Sequence, residues 1–186
     1  CDVYFYEIAK RTGIDYIAAM AKRFGLGTPL GIDLPGEGGG LIPTPKWKQT
    51  ALNAVWQKGE TVITGIGQGY LLVTPLQLAI MTAILVNGGI SIIPHLTRKI
   101  SGKGKFEDEL KPKQGESLNL SAQHLNLIRT AMDDVVNSGT GTAKRSRIVK
   151  PEWAMGGKTG TVQVRRISRA ERETGVIKNE DLPWEE

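Results

Sequence analysis

The sequence holds a single cysteine, Cys1, among 186 residues, which excludes an internal disulfide framework. It starts without a methionine and has no secretory leader, and its last residues, IKNEDLPWEE, end on charges with no closing helix or strand. From both ends we expect a piece of a longer chain. The longest apolar run, LQLAIMTAILV from Leu76, has 11 residues and is too short to span a bilayer. The excess of one charge sign is small as well, with a formal net charge of +5 spread along the chain. Its densest basic cluster, Lys144, Arg145, Arg147 and Lys150, reads as a solvated rim rather than a nucleic-acid surface. With 40% hydrophobic and 23% charged residues, the composition is that of one globular domain or a large part of one.

Two nucleotide-binding patterns are missing despite suggestive glycines. A phosphate loop needs glycine five positions before Gly157, where Glu152 stands, and it leads into a helix rather than into TVQV. In GIGQGY, residues 65–70, the dinucleotide fingerprint requires glycine where Tyr70 stands, and the next helix begins only at Thr74.

The patterns that are present predict helices first and strands last, an α+β arrangement with a mixed sheet flanked by helices. DVYFYEIAKRTG reads as an amphipathic helix, with Val3, Tyr6 and Lys10 on one side and Phe5, Ile8 and Ala9 on another. IDYIAAMAKRFG follows as a second helix with Gly25 as its stop. Residues 25–45 form a long Gly- and Pro-rich connection, ordered over a core by its Leu and Ile residues. Thr74, Pro75 and Gln77 spell the start of a helix with a capping box, and its nearly unbroken apolar run to Val86 predicts a buried central helix. ISIIPHLTRKI reads as a strand that Pro94 confines to an edge or an end, and residues 101–116 as a polar excursion. Ser121 precedes a helix that Gly139 stops, and WAMGGKTGTVQV reads as a strand.

That last strand carries chemistry. A Lys-Thr-Gly strand beside a serine nucleophile supplies a cation, a hydroxyl and an approachable backbone, and it is one of three motifs of serine acyl transferases, with Ser-x-x-Lys and Ser-x-Asn. Lys158 would set the local field and assist proton movement. Thr159 and Thr161 would bind a substrate carboxylate, and Gly160 would let an acyl group lie against the strand. The Thr161 N–H would face the developing oxyanion, where one donor contributes roughly 3 kcal/mol.

The other polar residues read as structural. His95 sits at a strand end and His124 on the exposed start of a helix, and Asp133 and Asp134 lie on a helix surface. Trp47, Trp56 and Tyr70 either line a groove or pack the irregular region. Ser117-Leu118-Asn119 matches Ser-x-Asn by letters, in a loop. None of the seven serines has lysine three residues on, so the acylating serine and its lysine are expected outside these 186 residues.

Several stretches together resemble the transpeptidase domain of class B penicillin-binding proteins. GLGTPLGIDLPGEGGGLIPTPKWK, GIGQGYLLVTPLQLAIMTAILVNGG, VVNSGTGTAK and GGKTGTVQV follow one another in the family's order and cover almost all of the chain. The opening CDVYFYE resembles the subfamily that serves cell elongation, whose second motif reads Ser-Cys-Asp. Cys1 and Asp2 would then be its second and third residues, with the serine one position earlier.

The resemblance implies the penicillin-binding-protein and serine β-lactamase-like fold, incomplete at both ends. It implies a helical subdomain over about 1–140, a catalytic strand region over about 150–165 and a loop over 166–186 that leads to further strands. A catalytic strand without those partners would keep an unpaired edge. Also implied are a serine D,D-transpeptidase or D-Ala-D-Ala carboxypeptidase activity, stem peptides and β-lactams as ligands, and membrane-embedded elongation proteins as partners. Nucleic acid is not among them. The anchor would lie in the inner membrane and the catalytic domain in the periplasm. Lys158, Thr161 and Asp2 would be catalytic, and Thr159, Gly160 and Thr161 would bind substrate. No cofactor is needed for the reaction. A structural zinc is associated with the subfamily's cysteine, here Cys1, whose reading from the residues alone is an inert thiol. A β-lactamase or β-lactam sensor of the same fold, and a non-catalytic scaffold, are the alternatives.

Overall fold

The computed structural model describes residues 2–100, 108–109, 113–160 and 173–175, in an α+β arrangement. The chain divides into two compact units, Cys1–Ala131 and Met132–Glu186, each described by itself.

The first unit opens with α1 (Asp2–Thr12) and α2 (Ile14–Arg23), both with an acidic residue in the first turn and basic residues in the last, as the helix dipole favours. α1 buries only Ala9, and Val3, Tyr4, Phe5 and Ile8 stay exposed. From Gly25 to Thr44 the chain has no helix or paired strand apart from one bridge, in which Leu41 and Leu72 exchange N–H···O bonds of 2.7 and 2.9 Å. Its apolar residues anchor it as expected. Leu26 and Ile42 form a buried cluster with Ala18, lined by Phe24, Leu71, Val73 and Met81.

Two carboxylates hold this connection in shape. Glu37 accepts the N–H groups of Leu30 (2.6 Å), Gly31 (2.8 Å) and Ile32 (3.2 Å). Asp33 reaches across to accept those of Leu96 (2.7 Å) and Thr97 (2.8 Å). Hydrogen bonding from the Thr97 side chain and then from the Leu96 and Thr97 N–H groups holds the Asp33 carboxyl well below its usual range. The Leu30 N–H does most to lower that of Glu37, against some desolvation. Both groups favour the folded state in ionised form, so their contribution is complete above the ordinary aspartate and glutamate range and is lost as pH falls through their lowered folded values. Hydrogen-exchange protection at Leu30–Ile32 and Leu96–Thr97 is therefore expected to hold at neutral pH and to fall in acid. Asp33→Ala, which leaves neither acceptor oxygen, should remove the protection of Leu96 and Thr97 already at pH 7.

Helix α3 (Pro45–Leu52) starts with Thr44 accepting the Trp47 N–H at 3.1 Å and Pro45 in the first turn. Helix α4 (Lys58–Thr64) starts with the Glu60 carboxylate accepting the Gln57 N–H at 2.6 Å. Trp47 packs on Tyr70 with ring centroids 5.2 Å apart, and the Trp56 indole N–H donates to Thr61 Oγ1 at 2.9 Å. These aromatics pack the irregular region.

Helix α5 (Pro75–Val86) begins with the expected capping box: Thr74 Oγ1 accepts the Gln77 N–H, and Gln77 Oε1 accepts the Thr74 N–H. Gln77 is fully buried, and its amide also donates to the carbonyls of Thr28 and Gly39, both at 2.9 Å. One side chain thus caps a helix and pins both ends of the connection. Gln77→Ala would leave those carbonyls without their donor, and a loss of about 2–4 kcal/mol is expected from urea denaturation.

The helix is not buried all round as its composition suggested. Gln77, Ile80 and Ile84 form its inner stripe, and Leu78 and Val86 remain exposed, because packing covers one face only.

Strand β1 (Ile90–Ile93) ends at Pro94, as expected for a residue that cannot donate to a ladder. The polar stretch after it is not merely an excursion. β2 (Lys99–Ile100) pairs antiparallel with β3 (Asp108–Glu109), and β4 (Lys113–Ser117) returns antiparallel to β1. β4 is exposed along its whole length, so no apolar alternation marked it. Helix α6 (Ala122–Asn137) runs across the division between the units. Its Arg129 donates to the Leu85 and Val86 carbonyls at the end of α5, a cation placed where the helix dipole is negative.

Candidate active site

The second unit begins within α6. After Asn137 the chain folds back on the helix: Ser138 Oγ donates to the Asp134 carbonyl at 2.6 Å, and the Ala143 N–H to the Val135 carbonyl at 2.9 Å. Only glycine fits at the bend, because a Cβ on Gly141 would lie 2.4 Å from the Val135 oxygen and 2.5 Å from that of Asp134. Two short 3-10 turns follow, Lys144–Ser146 and Pro151–Trp153. Lys144, Arg145, Arg147 and Lys150 are exposed, and the Lys150 ammonium lies 4.2 Å from the Trp153 ring centroid.

The segment expected as a strand departs from that expectation. Trp153 closes a 3-10 turn, and residues 154–160 have no regular secondary structure, while residues 161–164 of the expected strand lie outside the described residues. Pro151 favours the turn, and among the described residues no strand lies alongside to complete a ladder. The segment is held instead by the last turns of α6. The Gly157 N–H donates to the Met132 carbonyl at 2.9 Å, and the Asn137 amide donates to the Met155 carbonyl at 3.0 Å. The same amide nitrogen donates to Asp133 Oδ1 at 2.7 Å, across one helical turn. Gly156 allows this approach, since a Cβ there would meet backbone atoms of Met132 and Asp133 at 3.1–3.2 Å.

The held segment presents Lys158, Thr159 and Gly160 to solvent. The Lys158 ammonium donates to the Thr159 carbonyl at 2.7 Å and lies 3.5 Å from Thr159 Oγ1. The Thr159 hydroxyl lies 3.4 Å from that of Thr142. A cation and a hydroxyl thus stand side by side on exposed backbone, a suitable seat for a carboxylate.

Of the other anticipated residues, Thr161 and Cys1 lie outside the described residues. Asp2 is exposed at the start of α1, in the first unit. Ser117 and Asn119 form a local turn in which Ser117 Oγ accepts the Asn119 N–H at 3.1 Å and Asn119 has φ +49°. His95 and His124 are exposed, and His95 Nδ1 contacts the Thr97 carbonyl at 3.0 Å. No three His, Cys, Asp or Glu side chains gather into a possible metal site among the described residues. Those residues supply no ligand set for the zinc that the resemblance implies, and no chemical step below runs through one. Sequence reading treated Asp133 as plain helix surface and gave Asn137 no role. Their spacing of four on α6, just ahead of the Ser-Gly-Thr-Gly turn, was the signal available.

The described residues thus carry an exposed Lys-Thr-Gly segment against the end of a helix. The profile of the penicillin binding protein transpeptidase domain matches residues 1–175, and the chain belongs to that family. More particularly, it is similar to peptidoglycan D,D-transpeptidase MrdA. It is 41% identical over 172 residues to that of Acinetobacter baumannii, covering 92% of this chain and 25% of the relative. To the Escherichia coli K12 protein it is 35% identical over 163 residues, covering 88% and 26%. The chain therefore spans about a quarter of the length of these curated relatives. Among solved structures, PBP2 of Pseudomonas aeruginosa in complex with WCK 5153 matches with a TM-score of 0.68 and 40% identity, over 77% of this chain and 32% of that one. The PBP2 of Helicobacter pylori, solved as a complex with MreC, matches with a TM-score of 0.65 and 33% identity, over 81% and 26%.

Proposed function

We propose that these residues are part of a peptidoglycan D,D-transpeptidase that cross-links stem peptides and is acylated by β-lactams. The observation that carries the reading is the exposed Lys158-Thr159-Gly160 run, held on α6, in a chain of this family. A serine outside residues 1–186, within a Ser-x-x-Lys motif, attacks the carbonyl of the penultimate D-Ala. The bond to the terminal D-Ala breaks, that D-Ala leaves with a proton on its amine, and an ester remains on the serine. An amine of a neighbouring stem then attacks the ester, forms the cross-link and returns a proton to the serine oxygen.

In this scheme Thr159 and Thr161 hold the substrate carboxylate, and Lys158 supplies the cation beside it. Gly160 leaves room for the acyl chain, and the Thr161 N–H faces the oxyanion. Asp2 is read as the third residue of the Ser-Cys-Asp motif. A β-lactam acylates that serine and stays there, because no amine takes over the acyl group.

The site would face the periplasm, on a protein anchored in the inner membrane and working with membrane-embedded elongation proteins. The complex of the H. pylori relative with MreC supports that choice of partner. No helix among the described residues is long and apolar enough to cross a membrane, so the anchor would come from other residues. The test is release of D-Ala from a D-Ala-D-Ala stem peptide, together with a cross-linked product when an acceptor amine is added. An intact chain carrying Ser-x-x-Lys with these residues is expected to give both. A folded intact chain that gives neither would overturn the reading.

A further inference from the structure

The Asn-Ser-Gly-Thr-Gly segment at the end of α6 has no part in the scheme above, yet its Asn137 binds Met155, three residues before Lys158. Asn137 donates both amide protons, one to Asp133 Oδ1 at 2.7 Å and one to the Met155 carbonyl at 3.0 Å. Asp133 sets the direction of the amide, because a carboxylate accepts and cannot donate, so the NH₂ end must face it. The second proton is then aimed at the backbone three residues before Lys158. Two residues after Met155, the Gly157 N–H is bound to the Met132 carbonyl. Residues 155–157 are thus fixed at two points of the same helix, with opposite donor directions. A peptide segment bound at both ends over so short a span cannot slide or rotate without losing one bond. Lys158 and Thr159 follow at once, and they have no ladder partner of their own among the described residues.

We propose that Asn137, oriented by Asp133, is a positioning residue for acylation: it holds the Lys158-Thr159-Gly160 run where the reacting acyl group must lie. The inference rests on the transpeptidase reading. Its expected effect falls on the rate of acylation, since a displacement of about 1 Å at a reacting geometry costs about 10²-fold.

The test uses an intact chain with Ser-x-x-Lys and these residues, and a chromogenic cephalosporin as probe. Acylation rate is measured separately from non-covalent affinity, and the folded fraction is counted by adduct stoichiometry. Asn137→Leu is expected to lower the acylation rate constant of the folded enzyme about 10–100-fold, with little change in the melting midpoint. Asn137→Asp is expected to be impaired at pH 7, where a carboxylate faces Asp133 and the Met155 carbonyl. Relative to the unsubstituted enzyme at the same pH, it should recover as pH falls and a protonated carboxyl regains a donor. Unchanged rate constants in the folded fraction of both variants would overturn the positioning role, even if the melting midpoint dropped. If the unsubstituted chain itself is not acylated, the failure lies with the transpeptidase reading, and Asn137 then has no acylation to position.

Discussion

Lys158→Ala is expected to lower the rate of acylation by a penicillin about 10²–10³-fold in an intact chain, while leaving the fold unchanged. The side chain is exposed, and its recorded hydrogen bonds go only to its neighbour Thr159, so it holds no distant part of the structure together. Its removal takes away the cation that stands 3.5 Å from the Thr159 hydroxyl. A fixed cation or donor aimed at developing charge typically contributes about 3–4 kcal/mol to the transition state, which is the fold-change given. Lys158→Arg keeps the charge but replaces a compact ammonium with a wide planar fork, so it should recover only part of the rate. Stopped-flow acylation checks the rate, and circular dichroism checks the fold. An alanine variant that acylates within a factor of three of the unsubstituted enzyme would remove Lys158 from the scheme.

The largest effect on stability is expected at Lys48 and Glu60. Their side chains are only 8% and 16% exposed, and their charged atoms lie 2.5 Å apart. Each makes a further hydrogen bond: Lys48 Nζ donates to the Val55 carbonyl at 2.8 Å, and Glu60 accepts the Gln57 N–H at 2.6 Å. The pair therefore ties the middle of α3 to the first turn of α4 and closes the loop between them. Desolvation opposes the ionised Glu60, but the Gln57 N–H and the Lys48 hydrogen bond and charge outweigh it and hold the carboxyl below its usual range.

Removing one member leaves the other charged, buried and unpaired. Lys48→Met and Glu60→Gln are each expected to cost about 3–5 kcal/mol in urea denaturation. Because the Glu60 carboxyl is lowered by folding, the pair stabilises fully above the ordinary glutamate range. Its contribution is lost as pH falls through the lowered folded value. Changing both residues together to apolar ones of similar volume should be much milder than either single change.

What could be read from the sequence followed from local rules. Thr74, Pro75 and Gln77 announced α5 because each residue type there solves a problem of the helix start. The same Thr-Pro signal stands at Thr44 and Pro45, where it went unread because Trp47 and Lys48 break the apolar pattern. What Gln77 does beyond the cap was out of reach, since its carbonyl partners at Thr28 and Gly39 lie 49 and 38 residues away. Strand β4 was missed for a related reason: KQGES has no apolar face, and only the presence of β1 makes it a strand.

The chemistry of the Lys-Thr-Gly run was legible because it depends on residue types in a short span. Its support was not, because the bonds end on backbone groups that carry no letter in the sequence: the Asn137 amide donates to the Met155 carbonyl, and the Met132 carbonyl accepts the Gly157 N–H. Over residues 154–160 the expected strand is absent, at the point where pairing partners, rather than propensity, decide the outcome.

The central claim is that these residues serve an acylating serine that lies outside them. Intact mass after treatment with benzylpenicillin tests it most directly, on the 186-residue chain and on a longer one that includes a Ser-x-x-Lys motif. A stable adduct is expected on the longer chain, located by peptide mapping to the motif serine, and none on the shorter. An adduct on a serine within residues 1–186, or a folded longer chain that stays unmodified, would contradict it.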